Sequence, residues 1–297
     1  MIINSQTIAL TFQGFKTVYS DAFLEAPSHS GRIAMTVPST GSDETYSWLG
    51  MFPQLREWIG KRHVANLKAH SFKILNRKFE STIRVKRDHM SDDKLGVFRP
   101  LLAEMGHTAK RHPDELIFGL LRDGFTAECF DGEALFSAAH PVEIDGKKET
   151  FSNYQAGSEA PWFLLDTSRA IRPIIWQERE PYEFQSLDDP NSHHVFLNDE
   201  YLYGVRARVN AGFGLWQLGF GSKAELNETN YAAARAAMMG FKSDGGRPLG
   251  VSPTVLVVPP SLESAALHLL NTEIKAGGGS NPWKGTADLI VTPYVVS

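Results

Sequence analysis

Apolar residues recur at steps of three and four near the start of the chain, at Ile8, Phe12, Phe15, Tyr19 and Phe23. That spacing predicts a helix with one apolar stripe, broken afterwards by Pro27, Ser28 and Gly31. Few residues precede it and a loop follows, so the stripe must dock on something: a neighbouring molecule, as an arm, or the chain's own core. Residues 43–90 behave differently. TYSWLGMFPQLREWIGKR crowds Trp48, Leu49, Met51, Phe52 and Trp58 together, and HSFKILNRKFESTIRVKRD then alternates apolar with charged positions. Period two around a polar Asn76-Arg77-Lys78 turn predicts a long β-hairpin with one wet face. Such a hairpin is marginal alone and needs a surface to lie on.

Ser91-Asp92-Asp93 offers cap oxygens and negative charge for a helix start. Leu95, Phe98, Leu101, Leu102 and Met105 continue it, and Leu116, Ile117, Leu120 and Leu121 resume it after His112-Pro113. Pro100 and Pro113 predict a kink or a restart, and Asp123-Gly124 a stop. From Phe125 to Ser222 short β-prone runs dominate: WFLLD, IRPIIWQE and YLYGVRARV. Helical periodicity returns from 229, followed by a turn at Asp244-Gly245-Gly246. TVLVVPP reads as a buried strand leading into a helix from Ser261, an α/β unit; KAGGGSN (275–281) reads as a flexible loop and DLIVTPYVV as a closing strand. There is no internal repeat.

The chain's 297 residues suffice for one large or two to three modest domains, and 42% hydrophobic content with 22% charge is that of a folded protein. A net charge of -4 leaves no global basic footprint for nucleic acid. The one cysteine, Cys129, excludes an internal disulfide and a Cys-rich zinc site and reads as a buried thiol. No apolar run approaches the ~20 residues of a membrane span, and the N-terminus is not built as a signal peptide, so a cytoplasmic location is expected.

Candidate chemistry thins out on inspection. GEALFSAAHPVEIDG sets Ser137 near His140, but without the G-x-S-x-G elbow. His140-Pro141 reads as a rigid corner, because a residue before proline is pushed toward extended geometry. His193-His194, near Asp188 and Asp189, would point to opposite faces of a strand and so not share one ion. Glycines 212, 214, 219 and 221 interleave with Phe213, Trp216 and Phe220 and lack the order of a phosphate loop. No catalytic, cofactor-binding or metal-ligating residue is assigned.

Several runs together resemble one family. VKRDHMSDDKLGVFRPLLAEMGHTAKRHPDELIFGLLRDGFT, preceded by YSWLGMFPQLREWIGKR and followed by LFSAAHPV, is similar to the major head subunit of Mu-like phages, as are YGVRARVNAGFGLWQ and GGRPLGVSPTVLVVPPSLESAALHLLN. The resemblance spans nearly the whole chain in order. It implies an α+β chain with the Hong Kong 97 (HK97-like) capsid fold: an N-terminal arm over 1–42, an extended β-hairpin or E-loop over 43–90, a peripheral domain with a long spine helix over 91–222, and an axial domain over 223–297. The β-rich stretch 160–222 precedes the axial segment, whereas many relatives return to peripheral strands at the C-terminus.

The implied function is that of a major capsid protein, not an enzyme, self-assembling as hexamers and pentamers into an icosahedral head around double-stranded DNA. Implied partners are further copies of itself, a separate scaffold protein and a portal, with room for a decoration protein. DNA is held without sequence specificity, no membrane and no cofactor is involved, and assembly takes place in the host cytoplasm. FSAAHPV then becomes a structural signature. The rival readings are another virion component, such as a tail or decoration protein, and a hydrolase using His140. Under the capsid reading the subunit contacts are expected from Phe12, Phe15, Tyr19 and Phe23 of the arm and from Trp48, Met51, Phe52 and Trp58, since aromatic side chains of ~150–250 Å² dominate interfaces. Trp58→Ala should leave the soluble subunit folded while shifting particles toward free subunits or aberrant shells. Circular dichroism with sedimentation measures this; lost thermal stability with intact assembly would instead place Trp58 in the chain's own core.

Overall fold

The N-terminal stripe folds as a helix, α1 (Ser5–Glu25), in a computed structural model that describes residues 4–50, 72–92, 94–144, 146–274 and 278–296. Asn4 and Thr7 exchange side-chain and backbone hydrogen bonds (2.9 and 3.0 Å) as a capping box that starts it. A short helix α2 (Ser30–Ile33) leads into strand β1 (Ala34–Pro38). Then come β2 (Asp43–Tyr46), β3 (Phe72–Leu75), β4 (Arg77–Lys86) and the single turn α3 (Arg87–Ser91). The long helix α4 spans Arg99–Asp123. Beyond it lie β5 (His140–Ile144), β6 (Lys147–Phe151), β7 (Tyr154–Gln155), β8 (Trp162–Leu165), β9 (Ile174–Leu187), α5 (His193–Asn198), β10 (Glu200–Phe213) and β11 (Gly219–Ser222). The chain closes with α6 (Glu228–Met239), β12 (Val255–Val258), α7 (Glu263–Asn271) and β13 (Asp288–Val291).

Two sheets organise these elements. One has the order β1-β9-β10-β4, and the other β13-β12-β8-β11-β7. Two hydrophobic clusters fill the molecule, and α4 serves both. Its Leu102, Met105 and Ala109 pack with Ile8, Phe15 and Tyr19 of α1 and Phe184, Tyr201 and Tyr203 of the first sheet. Its Ile117, Phe118 and Leu121 enter the larger core around the second sheet, with Trp162, Phe163, Leu256 and Val257.

Four expectations are corrected. Asn76 is not a hairpin turn: β3 pairs antiparallel with β2, while β4 pairs over its whole length with β10. Period-two patterning reports a strand and its faces but not its partner. Asn76 is instead the junction between two pairings, its amide nitrogen donating to Ser39 Oγ (2.7 Å) and Gly41 O (2.9 Å). Second, Ser91 ends α3, and α4 starts only at Arg99 after a 3-10 turn at Leu95–Phe98. Pro100 sits in the first turn, where its missing N–H costs no helical bond, and α4 continues through Pro113 without a restart. Third, His193 and His194 lie in the first turn of α5, not on a strand. Fourth, a division at 222/223 would cut the second sheet, because β8 and β11 precede it and β8 pairs with β12. The loop expectation for 275–281 falls partly outside the described residues, at 275–277.

The arm's seat depends on a missing side chain. At Gly106 an added Cβ would lie 2.4 Å from the Tyr19 carbonyl oxygen and 3.0 Å from the Phe23 nitrogen. Backbone at that distance cannot turn away, so only glycine lets α1 cross α4 so closely. Gly106→Ala gains up to ~1 kcal/mol of helix propensity, but overpacking against fixed backbone costs about 1–3 kcal/mol. The variant should therefore melt lower and expose α1 to proteolysis; an equal or higher Tm with α1 still protected would show that the crossing tolerates a methyl group.

Candidate assembly surfaces and the buried His140 corner

His140 begins β5 and is fully buried. Its Nδ1 lies 2.7 Å from Asp131 Oδ2 and its Nε2 3.2 Å from the Leu135 carbonyl oxygen. The ring stacks on Trp216 at 4.0 Å between centroids, 6° from parallel. Ser137 turns elsewhere, its hydroxyl donating to Glu133 Oε2 (3.0 Å). Both imidazole nitrogens are engaged and the serine has another partner, so no nucleophile–base bond of the hydrolase type forms here. Cys129 donates its thiol to Asp131 Oδ1 (3.1 Å), and burial, reinforced by the Asp131 charge, pushes the thiol far above its ordinary pKa, away from the reactive thiolate. Cys129, Asp131 and His140 are, among the described residues, the group whose potential ligand atoms gather within 4.8 Å; those atoms are hydrogen-bonded to one another.

A second polar hub ties this corner to the sheet. Asn153, fully buried, donates to the carbonyls of Leu135 (2.7 Å), Gly219 (3.1 Å) and Trp216 (3.2 Å) and accepts from the Ser137 N–H (2.9 Å). Gln177 fixes the base of the β2–β3 hairpin: it accepts from Tyr46 Oη (2.8 Å) and donates to Ile74 O (3.1 Å) and Asn76 Oδ1 (2.8 Å). Asp114, on the buried side of α4, accepts from Ser28 Oγ (2.7 Å) and from the N–H groups of His29 (2.9 Å) and Ser30 (2.7 Å). It thereby holds the exit of α1 and caps α2. Periodicity and motifs give these three residues no role. Asp114 had a signal, a carboxylate at the spacing of the stripe formed by Ile117 and Leu121; Asn153 and Gln177 had none beyond polar residues beside apolar runs.

The residues expected at subunit contacts divide. Phe15 and Tyr19, each 4% exposed, are buried in the chain's own core. Phe15 meets Tyr203 edge-on and Tyr19 stacks on Phe184. Phe12 and Phe23 are half-buried, packing on Phe184 and Tyr182. Of the two seats open to the arm stripe, Phe15 and Tyr19 thus take the chain's own core, formed by the first sheet with α4. Trp48 is half-buried against the core, edge-on to Tyr46. Met51, Phe52 and Trp58 lie outside the described residues. Apolar side chains are also exposed at α5, where Phe196 is 82% and Leu197 62% exposed.

Asp131 is the group through which pH acts on the corner. Burial alone would raise its carboxyl, but hydrogen bonding to and the charge of His140, with the Cys129 and Glu133 donors, outweigh it and hold the carboxyl below its ordinary pKa. A depressed folded pKa contributes stability that is complete above ~4, the unfolded value, and is lost as pH falls through the lower folded one. Asp131→Asn leaves the buried His140 and Cys129 groups with a weaker, uncharged partner and should cost about 1–3 kcal/mol near neutral pH, a deficit that narrows in melts below pH ~4. Equal Tm values at neutral pH would refute the pairing's role.

The same chain can be set beside known proteins. It is 40% identical over 305 residues to the major capsid protein of Escherichia phage Mu, covering 99% of this chain and 100% of that one. It is 38% identical over 285 residues to the Mu-like prophage FluMu major head subunit of Haemophilus influenzae, covering 93% and 92%. In structure it superposes on the subunit of the bacteriophage JBD30 procapsid with a TM-score of 0.89 and 42% identity, over 98% of this chain and 100% of that one. On the JBD30 capsid the TM-score is 0.78 with 33% identity, over 94% of each. The α+β architecture is the HK97-like fold of phage capsid subunits. The model of the family described as Mu-like prophage major head subunit gpT matches residues 8–295, and with it the chain belongs to that family, as a major capsid subunit.

Proposed function

We propose that the chain builds an icosahedral head shell from hexamers and pentamers of itself around double-stranded DNA, and that it does so without catalysis. The observation that carries this reading is the end-to-end likeness to a procapsid subunit. The engaged nitrogens of His140 favour a corner that holds shape over one that turns over substrate. A net charge of -4 suits a wall that confines DNA without reading or gripping it. Among the described residues no helix is long and apolar enough to cross a membrane; shells assemble in the host cytoplasm and remain in the virion. The JBD30 capsid is described as decorated with minor capsid protein trimers, and we assign this chain the same kind of external partner, together with a separate scaffold and a portal.

Within the subunit, α4 is the spine and α1 the arm, and β2 and β3 with the chain between them form the E-loop. The second sheet with α6 and α7 forms the axial body. Trp48, Met51, Phe52 and Trp58 cover a neighbouring copy, while Phe12 and Phe23 contribute their open edges beside it. Phe15 and Tyr19 hold the seat beneath them.

Electron microscopy of particles from cells expressing the chain tests the reading: closed shells are expected, and tubes, fibres or plain monomers would overturn it. Deleting residues 1–26 should abolish shells. Because it also strips cover from Phe184 and Tyr203, it should lower Tm as well, by burial worth ~1.5–3 kcal/mol per large side chain. Normal shells from the truncated chain would remove the arm from assembly.

A further inference from the structure

We propose that Cys129, Asp131 and His140 bind a divalent metal ion of the zinc or cobalt class, which staples the turn before β5 to its first residue. The inference does not depend on the shell. The thiol, carboxylate and imidazole atoms lie within 4.8 Å of one another. His140 Nδ1 stands 2.7 Å from Asp131 Oδ2, and Cys129 Sγ 3.1 Å from Oδ1. Ligand atoms around a tetrahedral zinc, with bonds of about 2.0–2.3 Å, are roughly 3–4 Å apart. Closing on an ion therefore requires side-chain shifts of about 1 Å. Sulfur and nitrogen beside one carboxylate suit zinc or cobalt, whereas magnesium and calcium take oxygen ligands.

His140 is already oriented as a ligand. Its Nε2 faces the Leu135 carbonyl, which only accepts, so that nitrogen carries a hydrogen. A metal-bound histidine is held in this way, by its far N–H on a carbonyl. Asn153 fixes the carbonyl by donating to it (2.7 Å), and Trp216 fixes the ring plane. Asp131 also lines a cavity of about 210 Å³ shared with Trp216 and Gln217. Gln217 is 6% exposed, and its Oε1 is buried without a hydrogen-bond partner among the described residues. It gives that cavity an acceptor for a water completing the ion's shell. Charge sets the valence. With acceptors facing both imidazole nitrogens, the corner holds an imidazolium, a carboxylate and a thiol, which sum to zero. An ion that displaces the Nδ1 proton and the thiol proton leaves imidazole, carboxylate and thiolate. Two positive charges then restore zero, so exchanging two protons for one dication buries no net charge. Burial keeps the lone thiol protonated, but direct coordination deprotonates a thiol outright.

Cobalt reports on this site without ambiguity, because the chain has one cysteine. The full chain, expressed in cobalt-supplemented medium and freed of loose ions, should carry one equivalent of cobalt by elemental analysis. It should show the near-ultraviolet thiolate-to-cobalt charge-transfer band and the visible bands of a tetrahedral ion. Zinc at roughly a hundredfold excess over its Kd should raise Tm by about 5 °C, and a chelator should reverse the gain. Cys129→Ser should keep the parent's circular dichroism, lose the charge-transfer band and bind cobalt roughly tenfold more weakly or worse. If that variant does not fold, the parent's spectrum still decides, since only Cys129 can give the thiolate band. Absence of the band from the cobalt-grown parent overturns the proposal. So does cobalt held equally by parent and variant, which would place the ion on surface histidines.

Discussion

Everything in the molecule depends on one helix burying its two halves in different cores. The first half of α4 packs Leu102, Met105 and Ala109 under the arm; the second packs Ile117, Phe118 and Leu121 against the five-stranded sheet. A helix of 25 residues is about 37 Å long, near the width of a domain, so it fixes the separation and relative orientation of both sheets. Its continuity matters accordingly. Pro113 removes one backbone hydrogen bond at the junction of the two halves. In the next position Asp114 takes hold of the chain leaving α1. A carboxylate buried there is tolerable because three donors satisfy it.

That junction also shows how far the sequence could be read. Stripes at Ile8–Phe23 and Leu116–Leu121 announced helices, and TVLVVPP announced a buried strand, because periodicity is a local property. Which strand pairs with which is not local. The alternation through Phe79, Ile83 and Val85 marks a strand, but β10, its partner, begins more than a hundred residues later. A polar Asn76 looks like a turn from its neighbours alone; only Ser39, Gly41 and Gln177, brought in from elsewhere, make it a junction. The same blindness applied to the arm. Periodicity alone cannot choose between a neighbour and the chain's own core for Phe15 and Tyr19, because Tyr203 and Phe184 are distant in sequence.

The corner at His140 was legible in another way. Its lack of an elbow motif argued against catalysis, and the proline beside it argued for rigidity. Neither could supply the reason that the corner is rigid, which is that Asp131, Leu135 and Trp216 hold the imidazole on both edges and one face. Buried polar groups of this kind contribute little net stability when paired and cost a great deal when one partner is lost. They act as a specification of shape. In a subunit that must present the same surfaces many times, a corner that cannot relax into an alternative packing has more value than a marginally deeper well.

Shape specified from within leaves the outer surface free to be weak. A shell requires contacts that form reversibly enough to correct errors, since each misplaced subunit otherwise becomes permanent. Exposed ion pairs are individually worth ~0–1 kcal/mol and are screened by salt. Surface pairs such as Lys73–Asp43 and Arg206–Glu180 therefore add little to how firmly the chain is held. The two cores that α4 joins do that, so charge on the surface can change without loosening either of them.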